Sequence, residues 1–256
     1  MKTIGAILSY NNPEMTDRLV ENIRSVFKKD FTFIVVDNGS DKDKISKYST
    51  HFIDVNCRMT RGFNKCIEII DKEYSGYDNI WFFTNDCFFL DNGNCPLESI
   101  ETYIGRFSEI GIIHPSLKNS VEVCYDIKND PSINGAKCVV EFDIVCPVFT
   151  RNAIKSIGGK FNHDLFQGWG IDHESSFLVR KAGMVVCIDH RTIVDHNTSS
   201  TYDKGLDNLH PDRHSYYSHA MREMHQVLYN RYGIQWHLKF INNFNTTNGK
   251  ILQWKE

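Results

Sequence analysis

The chain has 256 residues, 41% of them hydrophobic and 24% charged, with a net charge of −3. That length and balance fit one sizeable globular core, and a mildly acidic chain has no general attraction for nucleic acid or an anionic membrane. Eight cysteines without a C-x-x-C pair argue against a disulfide framework or a zinc site, and no apolar run is long enough for a stable membrane span. The N-terminal apolar run stops early, at Asn11-Asn12-Pro13, unlike a signal peptide, so the expectation is a cytoplasmic enzyme.

Ile4 to Leu8 reads as a buried strand, Ser9-Tyr10-Asn11 as its exit loop, and Glu14 to Phe27 as a helix with Met15, Leu19, Ile23 and Val26 on one face. Phe31 to Val36 predicts a second strand leaving through the turn Asp37-Asn38-Gly39-Ser40-Asp41. A third strand is expected at 51–56, a helix at 61–74 and a fourth strand at 79–86, "NIWFFTND". Strands alternating with helices predict a parallel sheet with right-handed crossovers. Beyond Asp91 the stretches become longer and irregular, and the β-rich runs Cys138–Phe142 and Ile144–Phe149 suggest a mixed sheet built onto the parallel core. A helix is expected from Asp172 to Lys181, stopped near Gly183, then strands at 184–189 and 192–196. From His210 onward, Tyr217, Met221, Met224, Leu228 and Tyr232 recur at helical spacing.

Four places put polar residues where strands end or loops begin: Ser9 to Asn11, Asp37 to Ser40, Asn85-Asp86, and Gly168 to Glu174 with His196 behind it. In an open α/β sheet ligands collect at the carboxyl ends of the strands, so Asp86, ending a buried run, can hold a metal or a cationic group there. Each place also has a plainer explanation. Asp37-Asn38-Gly39 is a favourable turn anywhere, Asp86 can cap, His196 can be a satisfied core histidine, and Trp169 can be packing.

Taken in chain order, the segments "AILSYNNPEMTDRLVENI", "FIVVDNGSDKD", "RGFNKCIEI", "WFFTNDCFFL" and "GWGIDHESSFLVRKAG" resemble the GT-A glycosyltransferases, in particular the large inverting family two and its galactosyltransferase-like relatives. The resemblance extends over about residues 3 to 200. It implies a GT-A fold with a mainly parallel central sheet flanked by helices and a helical C-terminal tail. It divides a domain at 1–205 into a nucleotide-binding half (1–91) and an acceptor half (92–205), with 206–256 as a helical extension. It also implies transfer of a sugar from a nucleotide-diphosphate donor, most often a UDP-sugar, to an acceptor hydroxyl with inversion.

Carried over residue by residue, the resemblance gives Ser9, Tyr10, Asn11, Asp37, Asn38, Arg61, Asn64 and Asn85 to the donor, and Trp169, Gly170 and Glu174 to the acceptor. Asp86 and His196 are the expected ligands of Mn2+ or Mg2+, since oxygen ligands suit both and a histidine leans toward manganese. The sequence departs from the D-x-D motif at its first acid, where Thr84 stands, with Asn85 between it and Asp86. Inverting displacement requires a carboxylate to take the acceptor proton. Counting back from Arg180-Lys181-Ala182-Gly183 puts Asp172 on the second acid of the family's acidic pair. Counting forward from Gly168-Trp169-Gly170 puts it on the first and His173 on the second. Both registers keep Asp172 inside the pair, with Glu174 as the fallback.

Two rivals use the same cleft. A nucleotidyltransferase needs a glycine- and lysine-rich loop after the first strand, which "SYNNPEM" lacks, whereas a non-catalytic nucleotide-sugar or sugar-binding module accords with the missing motif acid. The acceptor is open among a saccharide, a protein side chain, a lipid-linked sugar and a modified nucleic-acid base. The aromatic and basic tail suits either a polyanion or membrane-surface binder or a solvated helix packed through its apolar stripe.

Overall fold

Ile80 to Phe83 form most of β4 (Asn79–Thr84), and their side chains are fully buried because helices cover both faces of the sheet. The computed structural model describes residues 1–118, 125–196, 212–242 and 248–254. Successive β4 side chains alternate between faces. Trp81 and Phe83 meet the rings of Phe27, Phe31 and Phe89, while Phe82 meets Phe63, Phe149 and Phe161. Phe27 closes α1 (Pro13–Val26) and Phe63 belongs to α2 (Arg58–Glu73), so the two aromatic clusters fix one helix on each side of the sheet.

The first half follows the expected alternation. β1 (Thr3–Ser9) lies parallel to both β4 and β2 (Thr32–Asn38), and β2 lies parallel to β3 (His51–Ile53). The register sets Ser9 beside Asp37 and Leu8 beside Thr84, so the polar exits of β1, β2 and β4 share one edge of the sheet.

The second half adds β5 (Cys87–Phe89), α3 (Pro96–Arg106), β6 (Ile110–Leu117), β7 (Gly135–Val139), β8 (Val148–Thr150), α4 (Arg151–Ser156), α5 (Ile171–Lys181) and β9 (Val185–His196). α6 (Arg213–Tyr232), α7 (Trp236–Asn242) and β10 (Ile251–Gln253) follow. The strand order is β10-β7-β9-β6-β8-β4-β1-β2-β3, with β5 paired to β9. β6 and β9 are parallel, and β8, β7, β5 and β10 run antiparallel to their neighbours. The sheet is therefore mixed beyond β4.

Several expectations change here. The stretch after Asp91 is more regular than its sequence suggests, holding α3 and the wholly buried β6, whose Gly111 and Pro115 read as punctuation. The two strands expected at 184–189 and 192–196 are one, β9, with a register shift opposite Pro115 and Ser116. The run Ile144–Phe149 is strand only from Val148, yet its irregular part stays beside β4, where Phe82 N–H donates to Pro147 O and Thr84 N–H to Val145 O. α6 buries Tyr216, Ala220, Met224 and Leu228, whereas Met221 is exposed, so the upper turns are rotated from the expected stripe. The tail is not helical throughout, since β10 returns to pair with β7. The boundary at 205 and the helix start at His210 lie outside the described residues, as does Cys124; the other seven cysteines are free thiols.

Candidate active site

Polar bonds between loops stitch the shared edge of β1, β2 and β4 together. Asn11, at a left-handed φ of 48°, donates its N–H to Ser40 Oγ (2.9 Å) and accepts from Asp41 N–H through Oδ1 (2.8 Å). Ser9 Oγ meets Thr16 Oγ1 at 2.7 Å, and Asn85 Nδ2 donates to the same hydroxyl at 3.2 Å. Thr16, which sequence reasoning passed over, thus ties the ends of β1 and β4 to the first turn of α1. Tyr10 lies half-buried in the same loop.

Asp37 is buried, and its Oδ1 accepts Ser40 N–H at 2.9 Å, but its buried Oδ2 has no hydrogen-bond partner among the described residues. A buried carboxylate oxygen without a donor is costly, so this atom is poised for a hydroxyl or N–H from a ligand. Other residues assigned to the donor have protein partners. Asn38 Oδ1 accepts from Cys57 N–H, and its Nδ2 donates to Asn56 Oδ1 and Arg58 O, which anchors the entry to α2. Asn64 exchanges two bonds with the backbone of Phe161, at 2.8 and 3.0 Å, and Arg61 lies over the Phe166 ring. These two bonds tie α2 through Asn64 to the backbone at Phe161.

The β5–β9 pairing sets Cys87 opposite His196, which carries the imidazole to Asp86. Nε2 of His196 lies 3.4 Å from Asp86 Oδ2, while Asp86 Oδ1 is buried without a partner among the described residues. Burial disfavours the imidazolium, but Asp86, Asp143 and Asp195 outweigh it and raise the His196 pKa. The fit to a divalent cation is that of a two-residue site. No group of three or more His, Cys, Asp or Glu poised for a metal occurs among the described residues. The orphaned Asp86 oxygen nonetheless offers a hard ligand, and a magnesium-like ion takes its remaining ligands from phosphate and water.

α5 carries the third part of the site. Gly168 and Gly170 hold left-handed backbone before it, and Gly170 is its N-cap at φ 87°. Trp169 between them is half-buried with its ring 5.1 Å from that of Tyr217. Asp172 Oδ1 accepts His173 N–H at 2.9 Å, and His173 Nδ1 reaches Glu141 Oε2 at 2.5 Å. Burial raises the Asp172 pKa against the pull of the neighbouring imidazolium. Glu174 turns elsewhere. It is buried, accepts the Tyr232 hydroxyl at 2.7 Å and pairs with Arg231 at 3.3 Å, which links α5 to α6.

Asp143 was missed in the sequence. It lies two residues before Val145, whose carbonyl binds Thr84, so the antiparallel run beside β4 delivers it to the same edge as Asp86. Burial first, then Asp172 and Asp86, push its pKa up to about 6, with His196 opposing. The signal was available, since the two β-rich runs break at this carboxylate just as β4 breaks at Asp86. Asp86, Asp143, Asp172 and His196 thus form one electrostatically coupled cluster, with His173 and Glu141 at its margin.

In sequence, no family description and no characterised protein matches the chain. Solved structures do match in shape. GalNAc-T7, in a structure with UDP, GalNAc and Mn2+, aligns over 97% of this chain and 55% of its own at a TM-score of 0.62 and 11% identity. Residues 1–349 of S. aureus TarS, in complex with UDP, align over 94% of this chain and 71% of that one at a TM-score of 0.58 and 12% identity. The chain has the GT-A fold. A197 from STIV is similar in extent, with 83% of this chain and 92% of that one aligned at a TM-score of 0.51 and 12% identity. The chain spans only about half the length of the GalNAc-T7 chain it matches. In this GT-A chain the cluster occupies the carboxyl edge of the parallel strands, where such sheets bind ligands.

Proposed function

We propose that the chain is a glycosyltransferase that moves a sugar from a nucleoside-diphosphate donor, most simply a UDP-sugar, to an acceptor hydroxyl with inversion. The observation that carries this reading is the pair of buried carboxylate oxygens, Asp37 Oδ2 and Asp86 Oδ1, without partners among the described residues, at the ends of the two strands that flank β1 in a GT-A fold. Asp37 would accept from the base or ribose of the nucleotide. A divalent cation held by Asp86 and His196 would set positive charge against the departing diphosphate. Asp172 would take the proton of the acceptor hydroxyl as its oxygen bonds to the anomeric carbon and the bond from that carbon to the β-phosphate oxygen breaks. A raised carboxylate pKa suits a base working near neutrality. Trp169 would offer an apolar face to the acceptor sugar.

Thermal shift against a panel of nucleoside diphosphates, with and without Mn2+, tests the reading. UDP with Mn2+ is expected to raise the melting temperature more than ADP or GDP. Saturation at a hundred times Kd stabilises by about 2.7 kcal/mol, or roughly 5–10 °C for a chain of this size. No shift with any nucleotide overturns the proposal. The Thr84 substitution in the acidic motif favours a second reading, a nucleotide-sugar binder without turnover. Release of nucleoside diphosphate from the sugar donor on incubation excludes it.

A further inference from the structure

Two buried thiols face each other across the sheet. β7 and β9 run antiparallel with Cys138 opposite Cys187, and the two sulfurs lie 3.5 Å apart although the residues are 49 positions apart in the chain. Both residues are almost wholly enclosed, at 2% and 0% exposure. Cys138 donates its N–H to Lys250 O and accepts Gly249 N–H at its carbonyl, so its backbone bonds run to the β10 side. Cys138 and Cys187 therefore occupy a non-hydrogen-bonded position of the β7–β9 ladder, where Cα atoms approach to about 4.5 Å and side chains lie closest. That spacing falls within the roughly 4.4–6.8 Å found across disulfides, so the two strands already stand at bonding distance.

The pair is also chemically uneven. The contact between the sulfurs lowers the Cys138 pKa and, with burial, raises that of Cys187. Cys138 is thus the thiol that first yields an attacking thiolate, and Cys187 the one that resolves. A bond between them would close a loop that carries Asp143, Trp169 and Asp172, and would tie it to β9, whose last residue is His196.

We propose that Cys138 and Cys187 form a thiol–disulfide exchange site, which a small-molecule disulfide converts to a cross-strand bond. The Cys138 thiolate attacks one sulfur of the oxidant and releases the other as a thiolate. Cys187 then attacks the Cys138 sulfur of the mixed disulfide and releases the second thiolate. Two protein thiols are oxidised, the oxidant is reduced to two thiols, and the two protons pass from the protein to the departing thiolates. The proposal does not depend on the transferase reading. In its test the folded, full-length protein is incubated with excess hydroxyethyl disulfide in the absence of denaturant, and remaining thiols are trapped with N-ethylmaleimide after unfolding. Digestion at Glu141 then separates Cys138 from Cys146. The expected product is a peptide pair joined through Cys138 and Cys187 and released by reductant. The oxidised protein is expected to melt roughly 5–15 °C above the reduced one, because the closed loop is long. Cys138→Ala is expected to lose both the link and the rise in melting temperature. Both thiols trapped by the maleimide, a hydroxyethylthiol adduct that persists on Cys138, a link through another cysteine instead, or a lower melting temperature on oxidation would each overturn the proposal.

Discussion

Asp172 and Asp143 are the two acids of the cluster whose surroundings differ most. Both carboxyls are raised by burial, but Asp172 sits beside a charged imidazole and Asp143 between two other acids, with His196 the opposing cation. If Asp172 takes the acceptor proton, Asp172→Asn is expected to lose on the order of a hundred- to ten-thousand-fold in transfer rate with nucleotide binding retained. Asp143→Asn is expected to cost less, and a dead Asp143 variant beside an active Asp172 variant would move the base to Asp143. Asp86→Ala is expected to abolish stimulation by Mn2+ without unfolding the chain, since the residue ends a strand and removes no apolar packing. Equal turnover with a chelator present would sink that assignment. The strand-end acids Asp37 and Asp86 were legible because an apolar run stops on each. Asp143 is marked in the sequence only by the break between two β-rich runs, and its place beside Asp86 depends on an antiparallel return along β4 that the break does not encode.

At the scale of elements, the start of α5 depends on close approach. A Cβ on Gly170 would lie 2.7 Å from Met224 Cγ, and the backbone there is left-handed. Gly183, just past the end of the same helix, is also left-handed, at φ 84°, but has open space around it. Gly183→Ala is therefore expected to destabilise by about 1 kcal/mol for the backbone alone, and Gly170→Ala by that amount plus about 1–3 kcal/mol for overpacking α6. Urea unfolding of both variants checks the difference, and equal losses would show that Met224 yields freely. The Gly-Trp-Gly segment was readable as special, but its reason was not, since Met224 lies 54 residues away in the chain. β6 was hidden for the opposite reason. Its punctuating Gly111 and Pro115 are local signals, and burial between layers overrides them.

For the molecule as a whole, the parallel half and its site edge were legible because strand, loop and helix follow one another locally, whereas the second half is made by long-range pairing. The cluster assembled by that pairing gives the fold a pH dependence. Burial opposes the charge on His173, yet Asp172, Glu141 and Asp143 raise its pKa from 6.5 to about 9. The unfolded chain releases this proton near 6.5 and the folded chain holds it to about 9. The stabilisation is thus complete below 6.5 and is lost as pH rises through 9. With His173 21% exposed, the shift corresponds to on the order of 3 kcal/mol. His196, also raised, acts in the same direction. Stability by urea unfolding is therefore expected to fall between pH 6.5 and 9. His173→Gln, which keeps a hydrogen bond to Glu141, should be less stable than the parent at pH 6.5 and should converge with it by pH 9. A gap of constant size across that range would show that His173 and Glu141 share a neutral hydrogen bond rather than an ion pair.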